Sequence, residues 1–94
     1  MKGHLYKVTL EHLQDAKGQA VDDSKLVFET RNHDDIFNIV EIMKGKMDID
    51  ETDAIAFAVG LKLFGEVMLN NRDVELFKQF KPHMTDFMKQ LKKQ

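Results

Sequence analysis

The order of patterns along this 94-residue chain predicts an α+β fold: an antiparallel β-hairpin followed by three helical segments (ββααα), with helices covering one sheet face. Three observations carry that expectation. Polar and apolar residues alternate in two short stretches near the N-terminus. From Asn32 onward the apolar spacing changes from a period of two to one of about 3.6. Residues 50–70 are apolar almost all the way round a helical wheel, which makes that segment the hub against which the rest packs.

Residues 4–13, HLYKVTLEHL, place Tyr6, Val8 and Leu10 on one face and Lys7, Thr9 and Glu11 on the other, so they form a half-buried strand. Residues 14–24 are a polar connection containing Gly18 and the cluster Asp22, Asp23, Ser24. In residues 25–31, Leu26, Phe28 and Thr30 alternate with Lys25, Glu29 and Arg31, leaving Val27 as the one apolar residue on the outer face. The pair makes a long-looped hairpin.

Asn32 then suits a helix N-cap, with Asp34 and Asp35 complementing the positive end of the helix dipole. Ile36, Ile39, Val40 and Met43 form the inward stripe of this first helix, and Gly45 stands where a left-handed residue would end it. Asp50 and Asp53 open the hub helix, and Asn70 and Asn71, which tolerate left-handed geometry, close it. On the hub, Phe57, Leu61, Phe64 and Met68 make one stripe and Ala56, Gly60, Leu63 and Val67 a second. Ala54, Ala58 and Gly65 make a third of small side chains, where close backbone approach is expected and Gly65→Leu should overpack; only the arc of Lys62 and Glu66 is wet. The last segment keeps the stripe Leu76, Phe77, Phe80, Met84, Phe87, Met88 and Leu91. Pro82 interrupts it on the wet side, so this helical segment should be kinked or split there.

The stretches FETRNHDDIFNIVEIM, DETDAIAFAVGLKLFGEVMLNNR and ELFKQFKPHMTDFMKQLKK resemble a family of small bacterial proteins catalogued only as a domain of unknown function. The resemblance runs from about His4 to Lys92. It implies a compact α+β domain occurring alone in bacteria, and brings no activity, cofactor or catalytic residue to any position here.

Composition bounds the function. With 43% apolar residues, the chain is expected to be a single domain, 1–94, burying roughly two-thirds of its unfolded surface without metal or disulfides. The absence of cysteine excludes a disulfide framework, a thiolate nucleophile and a zinc-thiolate site, and suits a reducing cytoplasm. No apolar h-region or membrane-length run is present, so neither a secretory signal nor membrane insertion is expected. Net charge is −2, unevenly spread: residues 32–71 carry eight acids against three bases, and residues 72–94 six bases against three acids. Helix dipoles account for that distribution, and a pI near 6.0 argues against nucleic acid.

Candidate chemistry is sparse. Asp48, Asp50, Glu51 and Asp53 could ligate a hard cation, but the turn glycine and distal glutamate of a calcium loop are missing, and capping explains the same residues. His33 with Asp34 and Asp35 lacks any partnering nucleophile, and adjacent residues of a helical turn point apart. His4 and His12 share a strand face but stand ~27 Å apart, too far for one metal ion. His83, Met84 and Met88 have soft-metal character, yet both methionines fall on the apolar stripe and read as core filler. Ile55 and Val59 flank the wet arc of the hub helix, where cover by the third helical segment is the favoured reading and an apolar interaction seam the alternative.

These residues favour a non-enzymatic protein-interaction or regulatory module without cofactor, acting on a protein partner or as a homodimer, because an isolated hairpin leaves pairing edges. The alternative is a small-ligand binding protein or minor enzyme with a pocket between sheet and helices, using Tyr6, His12 and His83 as polar groups.

Overall fold

A computed structural model describes residues 2–22 and 24–94. The chain divides into two compact units, Met1–His33 and Asp34–Gln94. The first holds strands β1 (His4–Glu11) and β2 (Lys25–Asn32), and the second helices α1 (Ile36–Met43), α2 (Glu51–Asn70) and α3 (Glu75–Lys92). This is the α+β order, ββααα, that the sequence predicts.

The strands pair antiparallel, with His4 opposite Asn32, Tyr6 opposite Thr30, Val8 opposite Phe28 and Leu10 opposite Leu26. Directly opposed residues share a face. One face therefore carries Tyr6, Val8, Leu10, Leu26, Phe28 and Thr30, all uncharged. The other sets Lys7 against Glu29 and Glu11 against Lys25, cross-strand pairs of opposite sign. Leu5 joins Val27 on that charged face, so Val27 is not its sole apolar residue.

The connection is more structured than its polar composition suggests. His12 N–H donates to the Ser24 carbonyl at 2.8 Å, Val21 N–H to Leu13 at 3.1 Å, and a further bridge pairs Gln14 with Ala20. The ribbon therefore continues past the Glu11–Lys25 pair as far as the Gln14–Ala20 bridge. At the tip, Asp15 Oδ1 accepts from Lys17 and Gln19 N–H, each at 2.9 Å, and Gly18 takes φ +85°. Asp23, part of the expected turn cluster, lies outside the described residues.

Asn32 does not cap α1. It is the last residue of β2, 1% exposed, with its backbone paired to His4, and the cap falls to Asp35, whose side chain accepts from Asn38 N–H at 3.2 Å. Nor does Gly45 stop the helix in left-handed geometry: Lys44 N–H donates to Val40 and Lys46 N–H to Met43, a tightened last turn without positive φ. Asp50 caps α2 as predicted, accepting from Thr52 N–H at 3.1 Å. Asn71 closes it by another route. Its φ is −135°, and its side-chain Nδ2 donates to the Val67 carbonyl at 2.7 Å.

α1 and α2 come close, some of their Cα atoms approaching within 8 Å, and Ala54 and Ala58 are both 0% exposed. Met43, Ala58 and Leu91 form the buried centre of this unit, with Ile39, Val40, Met47, Phe57, Leu61 and Met88 packed on it. The close approach does not extend to Gly65, where an added Cβ would meet nothing within 4 Å. Lys62 is drier than expected because its ammonium pairs with Asp34 at 2.9 Å. α3 is not split: it runs unbroken through Pro82, whose exposed position lets water reach the carbonyl deprived of its donor. Leu76, expected on the inner stripe, is 70% exposed near the start of α3.

Candidate functional site

On the uncharged face of the hairpin, Tyr6, Val8 and Thr30 are half-buried, whereas Leu10 is 66%, Leu26 56% and Phe28 41% exposed. Strand alternation places these three side chains together at the end of the ribbon nearest the turn. Leu13, just past β1, is exposed as well. A contiguous apolar patch left in water is the kind of surface that marks an interface, and no strand residue on this face is a carboxylate, lysine or arginine that would oppose its burial.

In the helical unit, phenylalanines hold α2 and α3 apart. Phe57 meets Phe87 edge-on with ring centroids 6.1 Å apart, and Phe64 contacts Phe77 at 6.4 Å and Phe80 at 5.7 Å. Rings of this size space helices widely and leave clefts beside them. One cleft, of about 410 Å3, is apolar and lined by Phe57, Phe64, Phe80 and Phe87 together with the small Ala56 and Gly60. The second, of about 420 Å3, is lined by the apolar Met68, Leu69, Phe77 and Met84 and by the cationic Arg72, Lys78 and Lys81. The bare Gly65 backbone adds to its room.

The sequence-predicted candidates lie elsewhere. Tyr6 stacks on His4 at a centroid distance of 6.1 Å, His12 sits just beyond β1 and is exposed, and His83 rests against the Phe80 ring at 6.0 Å. None of Tyr6, His12 and His83 lines either cleft. Ile55 and Val59 are half-buried on α2. Of the acidic cluster, Asp50 caps α2 and Glu51 lies 3.7 Å from Lys44. Among the described residues, no three histidine or carboxylate groups gather as a metal site would require. Lys44 donates to Glu41 at 2.8 Å, and that hydrogen bond, opposed by desolvation and helped by the Glu41 and Glu51 charges, holds its pKa above the usual lysine range.

Sequence reasoning singled out neither surface as a site, although parts of both are visible in it. The excess of bases after residue 71 pointed towards the cationic cleft, but the dipole of the last helix explained it locally. No helix among the described residues is long and apolar enough to cross a membrane.

Nothing among curated proteins matches the chain significantly. A crystal structure of a protein of unknown function from Pectobacterium atrosepticum is similar to it at 43% sequence identity and a TM-score of 0.85, covering 98% of this chain and 99% of that one. The model of a family described as a domain of unknown function with solved structure, DUF3861, matches residues 4–93. The chain belongs to that family.

Proposed function

We propose that this protein is a non-enzymatic interaction module that pairs with a second copy of itself through the uncharged face of its hairpin. The observation that carries this reading is the exposure of Leu10, Leu26 and Phe28 on that face. A two-stranded ribbon is marginal by itself in water, and an isologous contact buries the same apolar patch on both copies without setting like charges against each other. The charged face, with its opposed Lys7–Glu29 and Glu11–Lys25 pairs, is suited to remain in water. Ile55 and Val59 offer a second self-complementary seam, smaller because both are already half-buried. A chain without cysteine suits the reducing cytoplasm, which we take as its compartment.

A photoreactive benzoylphenylalanine placed at Leu26 tests the reading by face. Irradiation should give a covalent species of two chains, and the same probe at Lys7, on the opposite face, should give little. Equal yields from both positions, or none from Leu26, contradict it.

A further inference from the structure

We propose that the cationic cleft between α2 and α3 binds an amphiphile with an anionic head, carboxylate or phosphate, and a single aliphatic chain. The inference rests on the helical unit alone and is independent of the hairpin reading.

Charge complementarity selects the head. Arg72, Lys78 and Lys81 line the cleft and no carboxylate does, although Glu66, Asp73, Glu75 and Asp86 are close in sequence. Lys78 and Lys81 stand three residues apart on one face of α3, where like charges repel, and neither has a side-chain partner among the described residues. Arg72 is already positioned: its Nε donates to the Leu69 carbonyl at 3.2 Å, leaving the two terminal nitrogens for a ligand. Phe77 and Lys78 belong to the start of α3, whose N-cap Val74 supplies no side-chain acceptor, so the positive end of that helix adds to the same field.

The apolar part of the lining selects the body. Met68, Leu69, Phe77 and Met84 give an apolar surface with two flexible thioethers that adapt to an aliphatic chain. Gly65 leaves space that any side chain would fill. A volume of about 420 Å3 falls among small-molecule sites, whereas a docked peptide helix needs a groove spanning several turns.

The test is titration of the full chain with decanoate, decyl phosphate and decanol at constant ionic strength, followed by amide chemical shifts. Both anions should give saturable shifts centred on Gly65, Leu69, Phe77, Lys81 and Thr85, with decanol weaker by about tenfold or more. The double variant Lys78→Gln/Lys81→Gln should weaken decanoate by about tenfold and leave decanol unchanged. Gly65→Leu should abolish both; if that variant does not fold, the surface lysine variants decide. Decanol binding as tightly as decanoate, shifts spread away from the cleft, or no saturation by either anion overturns the proposal. So does an acidic amphipathic peptide that shifts these amides when decanoate does not, which assigns the cleft to a protein partner.

Discussion

Gly3 sits at φ +94°, and a Cβ built there would lie 2.7 Å from the carbonyl oxygen of Asn32. Arg31 Nη1 donates to the Gly3 carbonyl at 3.2 Å, so this point ties the start of the chain to the end of β2. Gly3→Ala should destabilise the hairpin by roughly 1–3 kcal/mol, read as a lowered denaturant midpoint. Gly18 also has positive φ but open space around it, so Gly18→Ala should cost less, about 1 kcal/mol; equal losses at the two sites would refute the clash at Gly3. Lys44 gives a pH prediction. Its pKa is raised by folding, so its contribution is complete below the ordinary lysine value and is lost only as pH climbs through the raised one. It adds no pH dependence near neutrality, and Glu41→Gln should bring its titration, followed by side-chain NMR, back towards the ordinary value.

Helix α2 contains two glycines, Gly60 and Gly65, at which an added Cβ meets nothing within 4 Å. Replacing either with alanine should raise stability by up to ~1 kcal/mol, the ordinary propensity difference. A loss at Gly65 would revive the close approach that its place on the small-residue stripe suggested. Pro82→Ala should also stabilise, by roughly 1–3 kcal/mol, because it restores a donor for the Lys78 carbonyl inside a helix that is already continuous. A lowered melting temperature would mean that Pro82 has a role in packing. These elements show what a sequence makes legible. Strand alternation and the stripe of α1 depend on residues a few positions apart, and both are read correctly. The caps are less local: whether Asn32 caps a helix or ends a strand depends on His4, 28 positions away, which takes its backbone into the ladder. Ala54 and Ala58 were legible as a contact surface, but how far along α2 that contact runs depends on the length of α1, which ends at Met43.

At the scale of the whole molecule, the candidate surfaces were legible in part. Alternation identifies which residues share a face of the hairpin, but the exposure of Leu10, Leu26 and Phe28 depends on packing that no local pattern encodes. The spacing of Lys78 and Lys81 is visible in the sequence, whereas Arg72 joins them only because the turn after α2 brings the two helices side by side. The central claim is that two copies meet through the hairpin. Light scattering across a concentration series tests it most directly, on the wild type and on Leu26→Glu, whose change is confined to an exposed side chain. The predicted result is a wild-type mass of two 10.9 kDa chains that falls to one chain in Leu26→Glu with its circular dichroism unchanged. A wild-type mass of one chain at every concentration would contradict the account.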